Sequence, residues 1–444
     1  MTDTVGIDRI SRRDFLRAGL VFGAGATGLA AGYAAVPDVF TRAVYAAKKD
    51  GVSNDRVLVM VQLAGGNDGL QTVIPLQDPA YRDLRPQLSA AANSALPLDG
   101  GRWGLNKVLP GIKSLWDQGK VAIVHGVGYP DPSQSHFDSI RVWETGDPTR
   151  RQAEGWLGRT IAKNYDSAGH PLVGCACGAT GVPGALRDLQ ATLTVINDQQ
   201  SFKFQGGDEM ERAAGALYTS TPGIYGALFD TAVATARDTV AQLRTAATKY
   251  VPKGKYSDDV RLVYSSRNQL AAALQLAAEL IVSGTGAKIL HVTLGGFDTH
   301  YTQANRHESL MAYVDSAITA FYDDLAAYGM ADRVMIATWS EFGRRPRENA
   351  SAGTDHGTAA PLILVGDPVK GGFFGEAPRL DQLDRQGNLT YAVDFRSVYQ
   401  EILGSHLGVD PREVLSETFE RLAFVREGAP AARSGAGAMA LAGR

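Results

Sequence analysis

Short apolar runs rich in β-branched residues recur along the chain, and they limit its fold more than any other feature. Each run is apolar on both faces, which is typical of strands in a parallel sheet covered by helices on both sides. The runs span residues 56–63, 120–125, 287–294, 333–338 and 360–365. The segments between them predict helices over residues 107–118, 222–248, 258–283 and 302–328. We therefore predict an α/β fold, with a doubly wound, mostly parallel sheet in an α/β/α sandwich.

The composition indicates a soluble globular body. The 444 residues are 44% hydrophobic and 20% charged, with a mean hydropathy of -0.12, which excludes a disordered chain and a polytopic membrane protein. A net charge of -3 gives no basic surface for nucleic acid. We predict one domain over residues 55–407, interrupted near 178–255 by an insertion or cap. The Ala-, Gly- and Arg-rich tail, 428–444, is expected to be disordered.

The chain has two cysteines, Cys175 and Cys177. Two neighbouring cysteines exclude a disulfide framework, and they cannot supply a four-ligand metal site alone. Because they lie in an apolar run, we expect them to be buried packing residues, with a redox role as the lesser alternative.

The N-terminus predicts export. The adjacent Arg12 and Arg13 precede an aromatic residue, a leucine and then a weakly hydrophobic, uncharged stretch rich in Gly and Ala, which is the pattern of a twin-arginine signal. The small residues Val44 and Ala46 predict cleavage after Ala46. We expect the twin-arginine translocase to export the protein and residues 1–46 to be removed. The mature protein would then be periplasmic or extracellular, without a membrane span.

Polar residues follow the apolar runs, where an open parallel sheet binds its ligands. They are Asn67 and Asp68, Ser133 to Asp138, Asp298 to His300, Ser340 to Arg344, and, ahead of the last run, Asp355 and His356. Each segment alone has an ordinary explanation as a turn, a helix cap or a local hydrogen bond. Together, so many carboxylates and histidines in one crevice would need a cation or an anionic ligand. We predict a single site, with its side chains within about 10 Å of a common point.

These motifs resemble those of the bacterial domain of unknown function 1501 family. The matching residues are Asn67-Asp68-Gly69, Ser135-His136-Phe137, Gly296 to His300, Ser340 to Arg344 and Asp355-His356-Gly357. The resemblance covers about residues 55–407. It implies a fold similar to that of the alkaline phosphatase and sulfatase superfamily. Members of that superfamily hold divalent metals at strand ends and attack phosphate or sulfate esters with a Ser, Thr or modified Cys.

The resemblance also implies roles for single residues. Asp68 matches a carboxylate that bridges metals, Ser135 matches the nucleophile, Asp298 and His300 resemble a ligand pair, and His356 resembles a late histidine ligand. The sequence departs from the phosphatase pattern at Ser340-Glu341, where phosphatases commonly have Asp-His. One imidazole ligand is therefore missing from the expected two-zinc arrangement.

The predicted metal ligands are Asp68, Asp298, His300, Glu341, Asp355 and His356. Because carboxylates outnumber imidazoles, the set favours Mg, Mn or Ca, with Zn as an alternative. In the predicted hydrolysis Ser135 attacks the ester, with Ser133 as its rival, and His136 is a general acid or a hydrogen-bond donor. Arg344 would stabilise charge on the equatorial oxygens of a small-molecule or glycan ester.

Two other classes of protein compete with this interpretation. A secreted binding protein on the same scaffold would explain the missing Asp-His, since a fold does not fix a function. A redox enzyme would suit the export route, but the sequence has no Cys-x-x-Cys-His motif, no cysteine cluster and no Gly-x-Gly-x-x-Gly after the first run. The sequence thus leaves the hydrolase first and the binding protein second.

Overall fold

The structure, a computed structural model, describes residues 54–197, 226–256 and 268–427. The predicted signal, 1–46, and the tail, 428–444, lie outside the described residues, so the predictions for them stay predictions. Among the described residues, no helix is long and apolar enough to span a membrane.

A nine-stranded sheet forms the centre of the molecule. The strands of the described chain are β1 (Val57–Ala64), β2 (Val73–Pro75), β3 (Leu96–Leu98), β4 (Trp103–Leu105), β5 (Val121–Gly128), β6 (Gly174–Cys177), β7 (Thr194–Ile196), β8 (Ile289–Gly295), β9 (Val334–Trp339), β10 (Arg344–Glu348), β11 (Thr354–His356), β12 (Ala360–Val365), β13 (Gly372–Phe374) and β14 (Val393–Asp394). The central order is β13-β5-β12-β9-β1-β8-β6-β7, and β14 also pairs with β5. β2, β4 and β3 form a small second sheet, and β10 and β11 form a hairpin.

Helices cover both faces of this sheet. They are α1 (Gly69–Thr72), α2 (Pro79–Leu84), α3 (Pro110–Asp117), α4 (His136–Thr145), α5 (Trp156–Asn164), α6 (Gly226–Lys249), α7 (Gln269–Val282), α8 (Gln303–Ala327) and α9 (Phe395–Glu401). Alternate residues of β1 supply two separate cores. Val59 and Val61 pack with residues of α3, α7 and α8, whereas Leu58 and Met60 pack with residues of α4, α5 and α9. The predicted α/β/α sandwich is confirmed.

β12 is the exception to the parallel arrangement. It runs antiparallel to β5 and to β9, whereas the other pairings in the central sheet are parallel. The beginning of β12 therefore lies at the edge where β1, β8 and β9 end. This reversal explains how His356, which precedes β12, reaches the same edge as residues that follow the parallel strands.

The predicted insertion or cap is described only at its ends. Thr194–Ile196 (β7) pairs with β6 at the edge of the main sheet, and Leu243 and Tyr250 pack into the core beside α7. Residues 198–225 are outside the described residues, so the insertion or cap stays a prediction. The described ends of the predicted insertion pack on the main sheet and its core.

Cys175 and Cys177 lie in β6, and both are free and buried. Burial raises the pKa of the Cys177 thiol to about 12, so the thiol is protonated and unreactive at neutral pH. Their burial agrees with the predicted packing role.

Candidate metal centre

The loop after β1 contacts the loop after β8 directly, because glycines leave room for it. Gly65 and Gly66 have φ angles of 119° and 80°, a backbone conformation that residues with a side chain rarely adopt. A Cβ atom on Gly65 would lie 2.5 Å from the backbone nitrogen of Asp298. The two strand-end loops are thus packed backbone against backbone.

Three histidines and one aspartate meet at this edge. His136 is the first residue of α4, Asp298 and His300 follow β8, and His356 ends β11. Ligand atoms of His136, Asp298 and His356 lie within 4.8 Å of one another. His300 Nε2 lies 2.9 Å from His356 Nε2 and 3.0 Å from Asp298 Oδ1. We call these four residues the histidine-aspartate cluster.

Each histidine of the cluster directs its Nδ1 atom at an oxygen acceptor. The pairs are His136 with Glu341 Oε1 at 2.7 Å, His356 with the Gln134 carbonyl at 2.8 Å, and His300 with Asp355 Oδ1 at 3.4 Å. A carbonyl or an ionised carboxylate only accepts hydrogen bonds, so we assign the proton of the neutral His136 and His356 rings to Nδ1. His300 differs, because its Nε2 lies 3.0 Å from Asp298 Oδ1, closer than its Nδ1 lies to Asp355. The Nε2 atoms of all three rings face the cluster, and a histidine that binds a metal through Nε2 carries its proton on Nδ1.

The donors of the cluster fit a metal ion. Two Nε2 lone pairs 2.9 Å apart repel each other unless a proton or a cation lies between them. Burial alone would raise the pKa of Asp298, but the hydrogen bond from Arg344 outweighs it, with a further contribution from the neighbouring His356, and lowers that pKa to about 2. The cluster thus offers an ionised carboxylate and three imidazole nitrogens, a donor set typical of Zn²⁺ sites.

Glu341 lies behind the cluster. Its side chain is fully buried, and Oε1 accepts hydrogen bonds from His136 Nδ1 and from the backbone N–H of Gly65 at 2.8 Å. The predicted ligand Glu341 therefore fixes the ring of His136. The sequence predicted His136 as a general acid or a hydrogen-bond donor. In the structure it is a member of the histidine-aspartate cluster.

Asp355 has a similar but looser role. Its side chain is half exposed, and Oδ1 accepts from Asn349 Nδ2 at 3.1 Å and faces His300 Nδ1. The hydrogen bond from Asn349 is the main reason that its pKa is lowered. The structure thus places this predicted ligand at the outer nitrogen of His300.

Asp68 is separated from the cluster by its own hydrogen bonds. Oδ1 accepts from the backbone N–H groups of Leu70 and Gln71 at the start of α1, and Oδ2 accepts from Arg85 Nη1 at 2.8 Å and from Gln303. Burial raises the pKa of Asp68, but Arg85 more than offsets it, so the net pKa is lowered. Four donors fill the acceptor sites of this carboxylate. Its contacts make Asp68 a helix cap and a buried ion-pair partner, and its role as a bridging ligand stays a prediction.

Arg344 is also fully engaged by the protein. Its side chain is buried and it donates to five acceptors. They are the carbonyls of Gly65, Gly66, Phe297 and Thr354, and Asp298 Oδ1 at 2.6 Å. Arg344 therefore connects the strand-end loops and positions Asp298. The sequence predicted that it contacts substrate, but its N–H groups donate to protein oxygens.

Ser135 precedes α4 and is exposed. Its hydroxyl makes no capping hydrogen bond to that helix, which removes the ordinary explanation of a serine at this position. The rival Ser133 is engaged: its Oγ accepts from the Ser135 N–H at 3.1 Å and donates to Asp138 at 3.3 Å. Ser135 has the freer hydroxyl of the two.

Comparison with known proteins identifies the family. Residues 110–425 match the family described as "Protein of unknown function (DUF1501)", and the chain belongs to that family. The match includes every residue of the histidine-aspartate cluster, whereas Asp68 precedes it. No curated protein matches the chain by sequence.

Several solved structures are similar to the chain at low identity. An alkaline phosphatase from the Antarctic bacterium TAB5 is 10% identical with a TM-score of 0.30, over 71% of this chain and 92% of that one. A sulfatase from Pseudoalteromonas sp. is 10% identical with a TM-score of 0.31, over 82% and 68%. An alkaline phosphatase superfamily protein from Vibrio parahaemolyticus is 10% identical with a TM-score of 0.32, over 76% and 70%. The strand order of the chain itself defines its fold class.

Proposed function

We propose that the protein is an exported, metal-dependent hydrolase of phosphate or sulfate esters. One observation carries the proposal: three histidines, each with an oxygen acceptor at Nδ1, direct their Nε2 atoms at one carboxylate. Neighbouring like groups of this kind are expensive to hold together unless they bind a cation.

The donor set favours Zn²⁺ or a similar transition ion over the Mg, Mn or Ca favoured by the sequence. Once Glu341 and Asp355 are placed behind histidines, imidazoles outnumber carboxylates in the cluster, and imidazole suits zinc. His136, Asp298, His300 and His356 would hold the ion. When bound, it would polarise the non-bridging oxygens of an ester.

The residues around the cluster supply the remaining chemistry. The backbone N–H groups at the start of α4 favour an anionic group, and Ser135 lies there. We propose that Ser135 Oγ bonds to phosphorus or sulfur, that the alcohol leaves with the proton Oγ gives up, and that water then cleaves the serine ester. Glu341 keeps the proton of His136 on Nδ1, so that Nε2 stays directed at the cluster.

The test combines metal analysis with a substrate screen. Protein purified without chelator should contain about one transition-metal ion per chain, and it should hydrolyse at least one aryl phosphate or sulfate ester. His356→Ala should lose the metal, whereas Ala in place of the exposed His170 is the matched control. Ser135→Ala should keep the metal and lose turnover. If wild type purified without chelator contained no metal and hydrolysed no ester after metal was added, the proposal would be refuted. Turnover in Ser135→Ala would refute Ser135 as the nucleophile.

A binding protein is the second candidate, and two contacts favour it. The carboxylate of Asp68 and the guanidinium of Arg344 are both engaged by protein groups, so neither is free to assist a transition state. Such a protein would bind one metal ion and inorganic phosphate or sulfate, and it would hydrolyse no ester.

Export is part of the proposal and rests on the sequence. Replacing Arg12 and Arg13 with Lys should leave the uncleaved precursor inside the cell, because the paired arginines are the recognised feature of the signal. Cell fractionation with an antibody to the mature chain measures this. Normal export of the double variant would contradict it.

A further inference from the structure

Gln303 is a fully buried polar residue next to the loop that carries two members of the histidine-aspartate cluster. It is the first residue of α8, and the loop before that helix contains Asp298 and His300. Its exposed fraction is 0%. A buried amide is unfavourable unless it is hydrogen-bonded, so its partners indicate which parts of the molecule it stabilises.

The amide of Gln303 joins three segments of the chain. Nε2 donates to Asp68 Oδ2, and Oε1 accepts from Thr354 Oγ1 and, at 3.1 Å, from Thr299 Oγ1. Asp68 is paired with Arg85, and an ionised carboxylate only accepts hydrogen bonds, so it determines which end of the amide faces it. The amide oxygen is therefore directed at the two threonine hydroxyls.

Both threonines lie within the segments that carry the cluster. Thr299 is between Asp298 and His300, and Thr354 is two residues before His356. The two threonines are buried, whereas the side chains of Asp298 and His300 are partly exposed. The threonines thus hold these segments from the inside of the molecule.

The two threonine segments are also in direct backbone contact. The Thr354 N–H donates to the Thr299 carbonyl at 3.2 Å. A Cβ atom on Gly353 would lie 2.2 Å from the carbonyl carbon of His300. Since the backbones are so closely packed, a displacement of one segment also displaces the other and the ligand groups that they carry.

Loss of the amide would leave both threonine hydroxyls without this acceptor. A buried hydroxyl without an acceptor is unfavourable, so the two segments would rearrange to satisfy it. A metal site needs its ligands held to within about 0.5 Å of their productive geometry. A small rearrangement is therefore enough to weaken metal binding.

We propose that Gln303 is a positioning residue, which sets the spacing of the ligand groups in the histidine-aspartate cluster through the hydroxyls of Thr299 and Thr354. The inference rests on the proposed function, because it assigns a residue that supports the proposed metal centre. Asp68 acts on the cluster indirectly, by holding the amide of Gln303 in the orientation that both hydroxyls need.

Gln71 provides a matched control for the competing explanation, which is that a buried glutamine only stabilises the fold. Gln71 is also buried, but its Nε2 donates to Tyr81 Oη at 3.1 Å and to the Leu88 carbonyl at 2.7 Å. These partners lie outside the segments that carry the cluster. Gln71→Met should therefore lower stability without changing the metal centre.

The first experiment measures Co²⁺ binding, because the visible absorption spectrum of Co²⁺ reports its coordination. Gln303→Met should weaken Co²⁺ affinity by about 10-fold or more, as expected for a residue that supports metal ligands, and should change the spectrum. Gln71→Met should change neither. Wild-type affinity and spectrum in Gln303→Met would overturn the inference.

Variants of Thr299 test the same contact if Gln303→Met does not fold. Thr299→Val keeps the shape of the side chain and removes its hydroxyl, whereas Thr299→Ser keeps the hydroxyl. Thr299→Val should weaken Co²⁺ binding, and Thr299→Ser should retain the affinity of wild type. Wild-type affinity in Thr299→Val would overturn the inference.

The last experiment separates this inference from the proposed function. In metal-free protein labelled with ¹⁵N-histidine, the ring NMR signals of His300 and His356 at a fixed pH report the arrangement of the cluster. These signals should shift in Gln303→Met and stay in place in Gln71→Met. If wild type bound no Co²⁺ while these signals shifted, the proposed function would fail and the positioning role would stand. Unchanged signals in Gln303→Met would overturn the positioning role even if esters are hydrolysed.

Discussion

Asp68 and Asp298 occupy similar places in the fold and have different surroundings. Each follows a strand of the parallel sheet, β1 or β8, and each contacts an arginine. Asp68 is buried and receives four protein donors. Asp298 has a side chain that is 46% exposed, and it faces three histidines. The comparison teaches that a strand-end carboxylate becomes a candidate ligand only where its neighbours leave acceptor sites unfilled.

The largest expected effect is on the buried carboxylate. Asp68→Ala should destabilise the fold by about 3 to 5 kcal/mol, because it leaves Arg85 buried without its counter-ion. Denaturant unfolding of the metal-free protein measures this loss. Asp298→Ala should cost less stability, because the buried Arg344 keeps four carbonyl acceptors, and it should abolish metal binding. Equal destabilisation by the two variants would break the distinction between the two sites.

A smaller effect is expected when the acceptor of His136 is weakened. Glu341→Gln keeps the shape of the side chain but removes the negative charge beside Nδ1, and it should reduce metal affinity by about 10- to 100-fold. Competition with a chromophoric chelator measures the affinity. If Glu341→Gln bound metal as tightly as wild type, the charge of the Glu341 carboxylate would not contribute to metal affinity.

The pH dependence of stability should report on the buried region. Burial lowers the pKa of His307 to about 4, from 6.5, so the unfolded chain binds more protons between these values. Stability should therefore fall as the pH drops from 6.5 towards 4, by up to about 1.4 kcal/mol per pH unit for this group. His307→Gln should make the fall shallower, and Gln in place of the exposed His170 should not. Parallel curves for wild type and His307→Gln would contradict the prediction.

The smallest effect is expected at Asp355. Its contact with His300 Nδ1 is 3.4 Å long and its side chain is half exposed, so water can replace it as an acceptor. Asp355→Asn should reduce metal affinity by about 10-fold or less, which is the smallest loss typical of a residue that hydrogen-bonds to a metal ligand. A loss as large as that in Glu341→Gln would show that burial does not separate the two carboxylates.

Much of the fold could be predicted because its long strands and helices carry a clear pattern. The five apolar runs correspond to β1, β5, β8, β9 and β12, and the predicted helix 302–328 corresponds to Gln303–Ala327. The short strands β13 and β14 escaped prediction because two or three residues carry no periodicity. The direction of β12 was also beyond the sequence, since strand direction depends on pairing partners rather than on composition.

For the site, the sequence identified positions better than roles. Asp298, His300 and His356 were predicted as ligands, and the structure brings them together with His136. The interpretation of Asp68 and Arg344 failed to foresee their partners, because Arg85 and the carbonyls of Gly65 and Gly66 are brought in only by tertiary packing. The one local signal for His136 was its position beside Ser135 at the start of a helix.

The reversed strand β12 also bears on when the site can form during synthesis. β12 lies between β5 and β9, so it connects the strands β13 and β5 to the strands β9, β1, β8, β6 and β7. His136 belongs to the segment after β5, whereas Asp298 and His300 belong to the segment after β8. A ribosome must therefore complete nearly the whole domain before these histidines can meet, and assembly of the histidine-aspartate cluster becomes a late event in the folding of the nascent chain.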